Sequence, residues 1–398
     1  MNASETLVEQ LCLRSFLSPW SMAQPRGEDG DKELCDLLVV CDPDVIVISV
    51  KDVSYSATAD VLTGMHRWTK RAVKNSIKQI RGAERALLRL DRVRTNKREP
   101  WLALPPPSRR RVHRLAVALG SKGEVLIADG GAKDSFVHVL DERGLEAIMT
   151  ELDTITDFVA YLEATESFLE KGQVVVEGSE NLLGLYIQNG RKFPANADLL
   201  IVQDGIWDGL TRDVSFRRRK EADIQSYIWD GLIERLAHEH DPALTTSAGD
   251  TNASENGGVE RVMRVMAREP RFNRRILAKS FAEFHKGGGI RSRIARSPSG
   301  VVYVFLVRPA SWNRTARKEE LLARMFIARG KTLGATTVVG LATEEYAVGT
   351  GSSLDAGLLQ KEVWTEDDQR KLEELQSATG AFVNPKWSQS REDEFPSA

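Results

Sequence analysis

Two acids and a lysine bracket a pair of apolar runs near the start of the chain. Glu33 and Asp36 precede residues 37–41 and 45–50, and Lys51 follows them. The runs are separated by Asp42-Pro43-Asp44, a strong turn signal. Carboxylates beside an ammonium group are what phosphodiester hydrolysis calls for. The acids hold a divalent metal ion, which neutralises the phosphate and lowers the pKa of an attacking water. The same residues also fit a plain cross-strand ion pair at a hairpin's mouth, a contact contributing about 0.2–1 kcal/mol.

The two runs read as a β-hairpin with its turn centred between Pro43 and Asp44. In that register Asp36 faces Lys51 and Leu38 faces Ser49. Alternation then places Asp36, Ser49 and Lys51 on one face. If residues 32–36 close a helix, Glu33 and Asp36 project to the same side. Asp52, next to Lys51, points to the opposite face. Glu33 and not Asp52 is therefore expected to complete a metal site.

A long helical pattern follows from about residue 66 to 94, with Trp68, Ala72, Val73, Ile77, Ile80, Ala83, Leu87 and Leu90 stepping mostly by three and four. Between residues 66 and 98 the only acids are Glu84 and Asp91, among twelve lysines and arginines. Net charge over the whole chain is -2, so this is a local cationic field. Lys70, Lys74, Lys78, Arg81 and Arg85 form one stripe, the layout expected for tracking phosphates beside a metal site. A solvated basic face, or one docked on acidic parts of the chain, is the other reading of this block.

The order acid, acid, apolar strand, turn, apolar strand, lysine and basic helix resembles the PD-(D/E)XK nuclease superfamily over about residues 28–90. The resemblance implies a restriction-endonuclease-like mixed sheet flanked by helices, with Mg²⁺ or Mn²⁺ at its site. Glu33 would match the helical acid, Asp36 the strand aspartate and Lys51 the lysine, which implies that Asp36 would hold the ion, Glu33 would hold it directly or through water, and Lys51 would orient the nucleophile and stabilise charge. Gln79, on the helix that also carries Ser76, would match a functional glutamine found in some branches. Ser49 departs from the pattern, because it stands two residues before Lys51 where the family has an acid. A hydroxyl is a poor Mg²⁺ ligand beside a carboxylate.

The composition, 41% hydrophobic and 28% charged, is ordinary for a soluble globular protein. No apolar run approaches the roughly 20 residues needed to span a bilayer. Cys12, Cys35 and Cys41 lack metal-ligand spacing and read as packed thiols in a reducing cytoplasm. The six histidines are scattered. Strands are expected at residues 111–119, 124–128, 135–140, 174–177 and 183–187. A β-α-β unit is expected over residues 301–342.

The chain is thus expected to be α/β (α+β), with a nuclease-like domain at 1–104 and a middle α/β domain at 109–240. A flexible linker at 241–258 leads to a C-terminal α/β domain at 259–385. The expected activity is Mg²⁺-dependent cleavage of DNA, ahead of RNA, in prokaryotic defence or repair. A homo-oligomer or a partner protein fits the later portions. The alternative is a catalytically inactive nuclease fold serving as a nucleic-acid-binding or scaffold module.

Overall fold

A strand buried on both faces needs neighbours on either edge, and the second arm of the hairpin finds them. The computed structural model describes residues 1–28, 32–56, 61–94, 101–121, 136–170, 173–195, 199–239, 253–286, 290–345, 353–385 and 392–396. These divide into two compact units, Met1–Arg217 and Arg218–Ala398. The chain is a mixed α/β protein.

The first unit opens with α1 (Ala3–Phe16), whose start is fixed by reciprocal hydrogen bonds between Asn2 and Glu5. Strands β1 (Ser21–Ala23), β2 (Leu37–Cys41) and β3 (Asp44–Asp52) follow. Then α2 (Val61–Thr69), a π-helical turn (Lys70–Lys74) and α3 (Asn75–Leu87) run on without interruption. The short strands β4 (Arg92–Val93) and β5 (Leu102–Ala103) pair with each other, and β6 (Arg111–Leu119) and β7 (His138–Leu140) join the main sheet. Its order is β1-β2-β3-β6-β7, antiparallel from β1 to β3 and parallel from β3 to β7.

The hairpin forms, but two residues away from the expected register. Cys41 pairs with Asp44 across a two-residue connection, Asp42-Pro43, so Leu38 faces Val47 and not Ser49. The turn centre moves by one residue because Asp42 and Pro43, and not Pro43 and Asp44, are the two residues left outside the ladder. A shift of two leaves every side chain on its expected face.

Between β3 and β6 the helical segment makes the crossover that a parallel pair requires. Its apolar stripe, Trp68, Ala72, Val73, Ile80, Ala83 and Leu87, packs on Leu38, Val40, Val45, Val47, Ala116 and Ala118 of the sheet. Burial of that stripe, each large side chain contributing about 1.5–3 kcal/mol, fixes the helix on this face. Against the sheet lie also α1, on β3, and α4 (Glu142–Glu151), on β6. The unit continues through α5 (Ile155–Leu169), β8 (Gln173–Val176), α6 (Ser179–Gln188), β9 (Leu199–Val202), α7 (Ile206–Arg212) and the start of α8 (Val214–Asp223).

Two expectations change here, and a third lies beyond the described residues. Residues 183–187, expected as a strand, lie in α6, because Leu182, Leu183, Tyr186 and Ile187 recur at helical spacing and are all buried. Residues 124–128 fall outside the described residues. The expected boundary after residue 104 falls inside this unit, since β6 is in the hairpin's own sheet.

Helices α9 (Tyr227–Glu239), α10 (Ala253–Ala267) and α11 (Arg271–Lys286) of the second unit precede its sheet. The expected linker at 241–258 lies mostly outside the described residues, and from Ala253 onward it already belongs to α10. The sheet has the order β10 (Arg291–Arg296), β11 (Val302–Arg308), β12 (Thr337–Glu344), β13 (Leu354–Gln360). β11 and β12 are parallel, joined by α12 (Arg314–Lys331), which is the expected β-α-β unit. Gly340 lets α12 approach closely, since a Cβ there would lie 2.4 Å from the Met325 sulfur. α13 (Glu366–Thr379) follows the sheet. Among the described residues no helix is long and apolar enough to cross a membrane.

Candidate functional site

Asp36 sits one residue before β2, on the face shared with Leu38 and Val40, and so looks towards α3. It is only 5% exposed. Its Oδ2 accepts the backbone N–H of Val50 at 2.5 Å and lies 3.4 Å from Lys51 Nζ. Its Oδ1 accepts Gln79 Nε2 at 3.0 Å. Gln79 in turn accepts the Ser49 hydroxyl on Oε1 at 3.0 Å. Lys51 Nζ also donates to the Val50 carbonyl at 3.1 Å. Four of the expected positions thus converge from three elements: Asp36 before β2, Ser49 and Lys51 on β3, Gln79 on α3. Trp68 donates its indole N–H to the Val53 carbonyl at 2.7 Å, pinning α2 to the chain just beyond β3. Ser76, on the same helical segment, is fully buried and its hydroxyl has no hydrogen-bond partner.

Glu33 reaches this group differently from expected. Residues 32–36 form no helix. Glu33 is held in an isolated β-bridge with Arg26, because the chain returns along 24–26 before entering β2. It is half-buried, and its carboxyl is raised above the ordinary carboxylate value. Burial is the main cause, followed by the negative charges of Asp36 and Glu5, with Arg26 and Lys51 pulling the other way. Glu33 is therefore within electrostatic reach of both Asp36 and Lys51. Asp52 takes the Ser4 hydroxyl of α1 at 2.5 Å instead, on the other side of the sheet.

The basic stripe lies on the outer side of the same helical segment. Lys70, Lys74, Lys78 and Arg85 are exposed and Arg81 is half-buried. Lys74, Ile77, Lys78, Arg81 and Arg85 line an open depression of about 330 Å³, and Lys70 stands outside it. Glu84, the acid within α3, is turned away and pairs with Arg114 of β6, Nε to Oε2 at 2.9 Å. The stripe keeps its positive charge as a result.

A second group was not visible in the sequence. Asp44, His113 and Glu163 each offer one atom within 4.8 Å of the others, a set that could hold a metal ion. It lies at the opposite end of β3 from Lys51. His113 Nε2 is 2.8 Å from Asp44 Oδ1. Arg111 already bridges the two carboxylates, 2.9 Å from Asp44 and 3.1 Å from Glu163. The parallel pairing of β3 with β6, which sets Asp44 beside Arg111, brings Asp44 and His113 together, α5 adds Glu163, and no spacing along the chain signals the group.

No known family, curated protein or solved structure matches the chain.

Proposed function

We propose that this protein is a nuclease that cleaves nucleic-acid phosphodiesters with Mg²⁺ or Mn²⁺. The observation that carries the reading is the joining of Asp36, Lys51 and Gln79 in one hydrogen-bonded group beneath a cationic helix. The chain order also supports the PD-(D/E)XK resemblance. A helix, three antiparallel strands, a helical crossover and a parallel strand follow in turn.

The donors available to an ion fit a hard divalent cation. The carboxylates of Asp36 and Glu33 and the Val50 carbonyl are all oxygen ligands. An ion bound there supplies charge neutralisation at the phosphate and a more acidic water. The chain's own residues do the rest. Gln79 and the Val50 N–H fix the Asp36 carboxylate, so its orientation does not depend on solvent. Asp36 and the Val50 carbonyl aim the Lys51 ammonium, which remains 31% exposed and can meet a phosphate oxygen. Lys74, Lys78 and Arg85 hold neighbouring phosphates and keep the backbone along the helix. DNA is the favoured substrate, in a defence or repair setting that rests on the family resemblance alone.

One observation favours a second reading, a worn nuclease fold that binds without cutting. Ser49 spends its hydroxyl on Gln79, in the place where the resemblance calls for an acid. Incubating the protein with single- and double-stranded DNA and RNA, with Mg²⁺ and with EDTA, separates the two. Metal-dependent cleavage lost in Asp36→Asn supports the nuclease. Binding without cleavage at any metal concentration selects the second reading, and neither binding nor cleavage rejects both.

A further inference from the structure

Glu33 belongs to a small ribbon that leads away from the candidate site. Arg26 is bridged to Glu33 on one side and to Arg94 on the other. Arg94 follows β4, and one step beyond the Val93–Leu102 pair it comes level with Trp101. Cross-strand neighbours share a face, so Glu33, Arg26, Arg94 and Trp101 make one row across the ribbon. The guanidinium groups of Arg92 and Arg94 lie 4.9 and 5.3 Å from the Trp101 ring centre. The reverse face is apolar. Val93 is fully buried, and Leu34 and Leu102 pack on the core. Gly27 presses against Leu90, where a Cβ would come within 2.7 Å of a methyl group. The ribbon is thus fixed to the core, with its polar row turned outward.

We infer that this row is a track for an unpaired strand of nucleic acid, with Trp101 and its two arginines as a platform on which a base stacks. The inference rests on the nuclease reading and names its substrate class: single-stranded nucleic acid, or a single-stranded end. At about 4.8 Å per strand, Trp101 lies roughly 14 Å from Glu33 across the ribbon, the length of a short run of nucleotides. Arg26, half-buried between them, would offer the outer nitrogens of its guanidinium to the backbone phosphates. Indole and guanidinium planes accept any base by its π-face, and a base inside a duplex has no free face to offer. Charge agrees as well. Among the described residues, Arg26, Arg92 and Arg94 outnumber Glu28 and Glu33 along this surface.

The test uses the full chain in EDTA, with a fluorescent thymidine oligonucleotide and a blunt duplex of the same length, followed by anisotropy. Trp101→Ala should weaken oligonucleotide binding by roughly tenfold or more and leave the duplex unchanged, while Trp101→Phe keeps most of the affinity. Lys74→Glu should weaken both ligands. Unmodified protein should cross-link through Trp101 to an oligonucleotide carrying 5-iodouracil, a readout that needs no variant to fold. If the protein binds oligonucleotide, yet Trp101→Ala binds equally well and cross-links map away from residues 92–101, the platform is refuted and the nuclease reading stands. If it binds no nucleic acid, both fall.

Discussion

Replacing Asp36 by Asn and by Ala separates the fold from the chemistry. Alanine removes the acceptor for three donors at once: the Val50 N–H, Gln79 Nε2 and Lys51 Nζ. Val50 is 3% exposed, so its N–H is left buried and unpaired, at about 1–3 kcal/mol. Loss of the Gln79 bond costs about 1 kcal/mol more, and the Lys51 pair, partly in water, adds little. Alanine should therefore destabilise the first unit by about 3 kcal/mol. Asparagine keeps the shape and one oxygen for the Val50 N–H. Its amide nitrogen then faces Gln79, which can turn over to present Oε1, and the Ser49 hydroxyl can rotate to accept from Gln79. That rearrangement leaves a cost of about 1 kcal/mol. For a unit of this size the midpoint should fall by roughly 6–12 °C for alanine and roughly 2–4 °C for asparagine. Metal binding discriminates further. Mg²⁺ at about ten times its dissociation constant should add about 1.4 kcal/mol, or roughly 3–6 °C, to the parent protein and nothing to Asp36→Asn. Cleavage by Asp36→Asn should fall below roughly a hundredth of the parent rate. Thermal scans with and without Mg²⁺, alongside a cleavage assay, read all of this. An equal Mg²⁺ shift in Asp36→Asn and the parent would refute the assignment, as would cleavage within a few-fold.

Other consequences can be checked independently. Lys74→Glu, Lys78→Glu and Arg85→Glu together should lower the slope of log affinity against log salt by roughly 0.7–0.9 for each phosphate that is no longer neutralised; an unchanged slope would mean that the stripe faces no polyanion. His113→Gln should leave Mn²⁺ binding intact in calorimetry while Asp36→Asn abolishes it, and the reverse outcome would move the metal to the Asp44 end. Burial pushes Glu344 up, but hydrogen bonds from Ser353 and Arg317 overcome it and hold the carboxyl down at about 2. With a folded pKa below the ordinary 4.5, its stabilising contribution is complete above pH 4.5 and disappears as pH falls towards about 2. Urea unfolding should accordingly lose on the order of 2 kcal/mol across that window, and Glu344→Gln should flatten this part of the profile. Cys12, Cys35 and Cys41 are buried, with Cys12 pushed up to about 12 mainly by desolvation, so a thiol reagent should find them only after denaturation.

The hairpin, the crossover helix and the β-α-β unit over β11, α12 and β12 were all legible, because each rests on local pattern. Alternation keeps Asp36, Ser49 and Lys51 on one face under any even shift of register, so the two-residue slip did no harm to the site. Gln79 could be placed only through the family resemblance, and the structure sets it against Asp36 and Ser49. What stayed hidden depends on long-range pairing. Residues 183–187 are apolar enough for a strand, and only the buried face of α6 settles the matter. Nothing local indicates that Glu33 is held by a strand-like bridge to Arg26 and not by a helix. Likewise, Asp44 and His113 lie far apart in sequence and meet only because β6 lies parallel to β3.

The two ends of β3 differ in how their negative charge is balanced, and this bears on where a divalent ion belongs. At the Asp44 end, Arg111 sits between Asp44 and Glu163 and bonds to both, with His113 completing the contact. Charge-assisted bonds of this kind are about twice as strong as neutral ones. An ion entering there would have to displace the guanidinium and leave it facing whatever replaced its partners. At the Lys51 end, two acids share a single ammonium 3.4 Å from one of them. Burial raises the Glu33 carboxyl most, and the negative charges of Asp36 and Glu5 add to it against the pull of Arg26 and Lys51. A divalent ion between Glu33 and Asp36 would offset the repulsion between the two carboxylates, and the one cation bonded to Asp36, the Lys51 ammonium, is partly exposed and can swing aside. That end of the strand also lies beside the helix that carries the basic stripe, whose Gln79 bonds to Asp36. Ion and polyanion would thus meet on one face, each lowering the electrostatic cost of binding the other.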